Sequence, residues 1–310
     1  MASLIDVAGL TKHYGRKRGV IDLSFQVTEG EVFGFLGPNG AGKTTTMRLL
    51  MALLFPDSGT ARIARLDCWQ RSIEVKRIVG YVPGELAFDP NLTGAQILAY
   101  FANLRGGVDR AYLDRLISRL DLDTGRRFRH YSHGNKQKVG LIQAFMHRPR
   151  LLVLDEPTSG LDPLNQYEFG QLVAETRADG RTVFLSSHIL SEVESTCDRV
   201  GIIRDGRLVR IGGVSELKDI KHHEMDLTFR DAPPADAFRQ LPGVERIEML
   251  SDGRTLRLTI QGDLDALIKM AARYQVASLV SREPSLEDVF LRFYQGDAGT
   301  SRKDAVRVVS

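Results

Sequence analysis

Over the first 30 residues apolar and polar positions alternate, as in Leu4-Ile5-Asp6-Val7 and Val20-Ile21-Asp22-Leu23-Ser24-Phe25-Gln26-Val27. A period of two buries one face of each segment and predicts antiparallel strands, with turns at Gly15 and Glu29-Gly30. The pattern then changes to short unbroken apolar runs, within Glu31–Leu36, Leu151–Leu154 and Thr182–Leu185. Such runs fit strands covered on both faces, as in a parallel sheet. Thr45 to Leu54 reads as a helix, and residues 93–148 are mostly of helical period, for example Ala95-Gln96-Ile97-Leu98-Ala99-Tyr100-Phe101. A second unit begins near residue 219. Its order is strand (224–229), helix (235–240), strand (244–250), strand (255–260), helix (264–274), strand (276–280), with a hairpin turn at Ser251-Asp252-Gly253-Arg254. That βαββαβ order is ferredoxin-like. A last helix is expected from Ser285, capped with Asp288, and a loose tail from Gly296.

The expected domains are therefore residues 1–218, with a helical segment at 93–148, then 219–295, then a flexible tail at 296–310. A length of 310 residues agrees with about two domains. The chain is 43% hydrophobic and 26% charged, which suits a soluble globular protein with a full core. A net charge of +3 without a dense basic run gives no footprint for nucleic acid. Two distant cysteines, Cys68 and Cys197, form no metal pattern, and a reducing compartment is the default. The sequence shows no secretory signal and no run near 18 apolar residues.

Candidate chemistry lies where the apolar runs end, because ligands of open α/β sheets bind outside the carboxyl ends of the strands. Leu36 leads into Gly37-Pro38-Asn39-Gly40-Ala41-Gly42-Lys43-Thr44, which fits Gly, four residues, Gly-Lys-Ser/Thr. Strand, glycine-rich loop and helix is the setting of a phosphate-binding loop, closed around phosphate oxygens by backbone N–H groups and a helix N-terminus. Lys43 is expected to reach the β- and γ-phosphates, and the Thr44 hydroxyl to ligate Mg²⁺. Leu154 leads into Asp155-Glu156, and Leu185 into Ser186-Ser187-His188. Asp155 is expected to hold Mg²⁺, directly or through water. Glu156 is placed to act as general base or to orient water toward the γ-phosphate. His188 is a candidate γ-phosphate contact. A solvated turn at Asp155-Glu156 and a structural His188 are the bland alternatives. No Asn-Lys-x-Asp guanine motif occurs, since Asn135-Lys136-Gln137-Lys138 lacks the Asp.

Taken in order, these motifs resemble the nucleotide-binding subunit of ABC transporters over residues 2–218. The resemblance implies a P-loop NTPase core of α/β class, with an N-terminal antiparallel β-subdomain, an inserted helical subdomain and the small α+β C-terminal domain. It implies that Tyr14 stacks on adenine, that Gly37 to Thr45 is Walker A, and that Leu151 to Glu156 is Walker B. Ser159-Gly160-Leu161-Asp162 matches the D-loop, with Asp162 near the nucleotide, and His188 matches the switch histidine. Tyr131-Ser132-His133-Gly134-Asn135 stands where Leu-Ser-Gly-Gly-Gln belongs. Ser132 and Gly134 are retained and are implied to contact the γ-phosphate bound on a second copy of the chain. At the Q-loop, Tyr81-Val82-Pro83 is followed by Gly84-Glu85, so the usual Gln is missing and Glu85 is the candidate substitute ligand. The C-terminal unit, ending in Glu283-Pro284-Ser285-Leu286-Glu287-Asp288-Val289-Phe290, looks like that of drug- and antibiotic-export ATPases that pair with separate ABC-2 membrane subunits. The implied protein is an ATP-hydrolysing exporter subunit for hydrophobic compounds or drugs. It would use ATP and Mg²⁺, dimerise with itself, pair with a transmembrane permease, and sit on the cytoplasmic face of the cell membrane without binding nucleic acid. The rivals are a soluble ABC-type ATPase with a non-transport partner and an ATP-dependent regulatory protein.

Overall fold

The alternating and unbroken apolar segments fold into separate sheets that share one core. The structure, a computed structural model, describes residues 2–15, 17–217 and 222–282. The expected helix from Ser285, the expected tail from 296 and the motif at 283–290 lie outside the described residues. The chain divides into two compact units, Met1–Gly213 and Val214–Ser310. The expected boundary at 218/219 falls within 218–221, also outside the described residues.

In the first unit the elements are β1 (Ser3–Tyr14), β2 (Lys17–Thr28), β3 (Val32–Leu36), α1 (Lys43–Leu50), β4 (Ser58–Ile63), β5 (Leu66–Asp67), α2 (Ser72–Ile78), β6 (Val79–Val82), α3 (Gly94–Leu104), α4 (Arg110–Arg119), α5 (His133–Phe145), β7 (Leu151–Asp155), α6 (Pro163–Ala178), β8 (Thr182–Ser187), α7 (Leu190–Thr196), β9 (Arg199–Arg204) and β10 (Arg207–Gly213). The alternating strands pair antiparallel in the order β2-β1-β4-β5. The unbroken runs form the sheet β10-β9-β3-β8-β7-β6, in which β9, β3, β8, β7 and β6 run parallel and β10 returns antiparallel. Every residue of β3, β7 and β8 is buried, which is why no alternation shows in their sequence. Phe25 of β2 joins the two sheets: its ring lies 5.5 Å from Phe35 and 5.8 Å from Phe184, between centroids. Burying each such ring stabilises the unit by about 2 kcal/mol.

The helical segment opens with a capping box on α3. The Thr93 hydroxyl accepts from Gln96 N–H, and the Gln96 side chain accepts from Thr93 N–H. At the other end of α3, Arg105 donates to the carbonyls of Lys76 (2.6 Å) and Val79 (3.0 Å), tying the segment to the last turn of α2 and the start of β6. Helix α1 stops at Leu50, short of the expected Leu54. Ala52 takes φ +51°, and the N–H groups of Leu53 and Leu54 turn back to the Arg48 carbonyl. Such a left-handed residue ends a helix whatever the helix propensity of its neighbours.

The second unit holds α8 (Val214–Leu217), β11 (His222–Phe229), α9 (Ala235–Arg239), β12 (Val244–Met249), β13 (Thr255–Gln261), α10 (Asp265–Ala271) and β14 (Val276–Arg282). Its sheet order is β12-β13-β11-β14, antiparallel throughout. This is the ferredoxin-like arrangement read from the sequence. Met225, Leu227 and Phe229 of β11 pack with Phe238 of α9 and Leu267 of α10. Among the described residues no helix is long and apolar enough to cross a membrane.

His147, between α5 and β7, carries the clearest pH signature of the first unit. Burial holds its imidazole well below the usual range, at about 4, and the nearby Arg105 cation adds to this. The unfolded chain therefore takes up a proton near pH 6.5 that the folded chain refuses until about pH 4. The stability that neutral His147 carries is present above pH 6.5 and is lost as pH falls toward 4. Urea midpoints are expected to fall between pH 7 and pH 5, and to fall less in His147→Gln. Equal declines in both proteins would show that His147 does not set this dependence.

Candidate nucleotide site

Parallel register brings three strand ends to one level. Leu36 of β3 pairs with Ser187 of β8, and Ser186 of β8 pairs with both Phe35 of β3 and Asp155 of β7. The glycine-rich loop, the two acids and His188 therefore emerge at the same edge of the sheet.

The loop runs from β3 into α1, whose N-terminus has no side-chain cap. Its first N–H groups are thus available to an anion. Pro38, Asn39, Gly40, Gly42, Lys43, Thr44 and Thr45 line a cavity of about 310 Å³ together with Gly19 and Glu156. That volume is at the lower end of the range for small-molecule pockets. Gly37 and Ala41 face inward instead. A Cβ on Gly37 would stand 2.4 Å from the Ile203 carbonyl, and Ala41 is buried. Lys43 is 5% exposed. Its Nζ donates to the Gly37 carbonyl (2.6 Å) and the Pro38 carbonyl (3.2 Å). It also lies 3.1 Å from Glu156 Oε1, at ion-pair distance but without hydrogen-bond alignment. Tyr14, at the exposed end of β1, touches the cavity wall: its hydroxyl is 3.5 Å from Thr45 Oγ1.

The acids are held in different ways. Asp155 is fully buried; Oδ1 accepts from the Ser186 hydroxyl at 2.6 Å, and Oδ2 has no partner. Glu156 sits at φ +50°, and its N–H donates to Ser186 Oγ at 3.0 Å. Its Oε2 is 2.7 Å from His188 Nδ1, so lysine, glutamate and histidine form one chain across the cavity. Below His188, Ser187 Oγ donates to Glu192 Oε2 at 2.5 Å, and burial pushes the Glu192 carboxyl up.

Residues 131–135 do not line this cavity. Ser132 caps α5, accepting from Asn135 N–H at 3.3 Å, which leaves its hydroxyl proton free to donate elsewhere. His133 Nε2 is 3.4 Å from Ser159 Oγ, and Gly134 packs against the Gly160 carbonyl, so this segment leans on the 159–162 loop of the same chain. Asp162 caps α6, accepting from the backbone N–H and side-chain amide of Asn165, and the first of these bonds leads in holding its carboxyl below the usual range. Glu85 is exposed, and the residue against Asp155 is Gly84, where a Cβ would stand 2.9 Å from Oδ2.

Two residues of the site were not read from the sequence. Ser186 is one; its only signal was the hydroxyl pair before His188. Gln137 of α5 is the other. Its amide donates to the carbonyls of Pro157 (2.9 Å) and Glu156 (3.3 Å), a long-range contact that spacing does not reveal.

A loop, two acids and a histidine at one sheet edge define a P-loop nucleotide hydrolase. The ABC transporter family profile matches residues 20–159. The bacitracin transport ATP-binding protein BcrA of Bacillus licheniformis is 33% identical over 302 residues, which is 96% of this chain and 99% of that protein. The daunorubicin resistance ATP-binding protein DrrA3 of Streptomyces coeruleorubidus is 34% identical over 304 residues, 94% of this chain and 96% of that protein. A solved ATP-binding subunit of an ABC transporter is 30% identical with a TM-score of 0.63, covering 70% of this chain and 92% of its own. The chain belongs to the ABC transporter family, as an ATP-binding cassette that hydrolyses ATP.

Gly84 stands after Tyr81-Val82-Pro83, where the resemblance implies a glutamine, and a Cβ there would meet Asp155 Oδ2 at 2.9 Å. Restoring the amide by Gly84→Gln would crowd the unpartnered Asp155 oxygen. Phosphate release is expected to fall about tenfold, in the range of losses when the surroundings of a metal ligand are disturbed. Turnover equal to or above that of the wild type would contradict this reading.

Proposed function

We propose that the protein is the ATP-hydrolysing subunit of an exporter of hydrophobic compounds or drugs, acting as a dimer beneath a separate membrane subunit on the cytoplasmic face of the cell membrane. The observation that carries the ATPase part is the chain Lys43–Glu156–His188 across the cavity. Two relatives that align over nearly the whole chain support the export part, being named for bacitracin transport and daunorubicin resistance.

Lys43 lies at ion-pair distance from Glu156. An incoming γ-phosphate competes for the Lys43 cation and releases the Glu156 carboxylate to water. His188 keeps that carboxylate aimed and offers its ring to the phosphate. Asp155 Oδ2 is buried and unpartnered, and Thr44 lines the cavity; a carboxylate and a hydroxyl fit a Mg²⁺ ligand set completed by phosphate oxygens. When bound, Mg²⁺ neutralises charge that develops on the β- and γ-phosphates. Glu85, exposed on its loop, is kept only as a ligand that would require that loop to move.

The proposed dimer closes over the same cavity. Its walls come from the loop, Gly19 and Glu156, and residues 131–135 are not among them. Ser132, whose hydroxyl proton is free to donate, and Gly134 reach the γ-phosphate from a second copy. Tyr14 supplies a ring for adenine, a stack worth ~1–3 kcal/mol. Asp162 stands at the end of the 159–162 loop, which faces the second copy, and caps α6.

Glu156→Gln keeps the shape and removes the base. It is expected to bind ATP as the wild type does, to lose turnover about a hundredfold or more, and to sediment as an ATP-dependent dimer. Undiminished hydrolysis by this variant would remove Glu156 from the chemistry.

A further inference from the structure

Ser186 bears on both acids through one hydroxyl. It lies in β8, fully buried, between Phe35 of β3 and Asp155 of β7. A serine hydroxyl has one proton. At 2.6 Å from the acceptor-only Asp155 Oδ1, that proton goes to the carboxylate. The Ser186 lone pair then takes the Glu156 N–H at 3.0 Å. Donating and accepting through one oxygen polarises both bonds, so each strengthens the other.

Two consequences follow. Asp155 cannot rotate freely, so Oδ1 is committed and Oδ2 is the oxygen left without a partner. Glu156 is held at φ +50°, a left-handed conformation that non-glycine residues avoid and that persists only when neighbours enforce it. That backbone setting sends the Glu156 side chain toward Lys43 and His188. Neither Asp155 nor Glu156 fixes its own orientation.

We propose that Ser186 is a positioning residue for ATP hydrolysis, setting the free Asp155 oxygen toward the metal and the Glu156 carboxylate toward water with a single hydroxyl. The inference rests on the ATPase reading of this site. A buried serine that only satisfies core hydrogen bonds would affect folding alone, and the test separates the two.

Three proteins are compared: wild type, Ser186→Ala and Ser186→Thr. Three quantities are read besides thermal unfolding. They are Mn²⁺ affinity of the complex with a non-hydrolysable ATP analogue by electron paramagnetic resonance, ATP affinity in EDTA, and turnover. In Ser186→Ala, Mn²⁺ affinity and turnover are each expected to fall about tenfold or more, as when a partner of a metal ligand is lost. ATP affinity in EDTA is expected to stay within about twofold, because the phosphate loop is untouched. Ser186→Thr keeps the hydroxyl and is expected to recover most of both losses. If its extra methyl prevents folding, Ser186→Cys, a weak donor, is read instead and is expected between alanine and serine. Wild-type Mn²⁺ affinity in Ser186→Ala would overturn the proposal. So would a parallel loss of ATP affinity in EDTA, or a folded hydroxyl or thiol variant no better than alanine. A wild-type protein that hydrolyses no ATP would instead sink the ATPase reading, and the Mn²⁺ measurement would still score Ser186.

Discussion

The site depends on the parallel register of β3, β8 and β7. A slip of one residue in β8 would turn Ser186 away from Asp155 and put Ser187 in its place, because successive side chains of a strand point to opposite faces. The register is held from below by packing. Phe33 and Phe35 of β3 and Phe184 of β8 stack with Phe25 of β2, all buried. Close-packed rings resist such a slip because each fills a shape that the others define. The antiparallel subdomain thus contributes to the chemistry without supplying an acid or base: Phe25 is its wedge in the core of the catalytic sheet.

Charge is managed by the same geometry. A lysine that is 5% exposed needs partners, and Lys43 finds them in two loop carbonyls and Glu156. Removing one partner from such a pair is strongly unfavourable, whereas exchanging it for another anion is not. A phosphate can therefore replace Glu156 at Lys43 where water cannot do so as well. Glu156 does not become an orphan in the exchange, since His188 retains it at 2.7 Å. Asp155 keeps one oxygen, Oδ2, without a hydrogen-bond partner, where the chemistry of a hard cation has a use for it.

The fold was legible wherever periodicity was strong. Alternation in Val20–Val27 and the unbroken run at Leu151–Leu154 reported one-sided and two-sided burial directly, and the βαββαβ order of the second unit matched its sheet order. The end of α1 was not legible, because Ala52 has good helix propensity and is turned left-handed by the chain around it. Among the site residues, the loop, Asp155, Glu156 and His188 stood out because their chemistry sits at the ends of apolar runs. Ser186 and Gln137 did not, since a serine in a strand and a glutamine on a helix gain meaning only from contacts made 31 and 20 residues away in the chain. Gly84 was read as a missing glutamine. Its fit against Asp155 shows a glycine position in its own right.

In the proposed dimer each ATP site is built from two copies of the chain, Lys43 to Thr45, Asp155, Glu156 and His188 from one and Ser132 and Gly134 from the other. The most direct measurement uses mixed dimers in which one copy carries Ser132→Arg and the other Lys43→Ala. In a shared arrangement both defects fall in the same site, so one intact site remains and ATP binds at half the full stoichiometry in a closed dimer. If each copy formed its own site alone, both sites would carry a defect, and neither would hold ATP in a closed dimer.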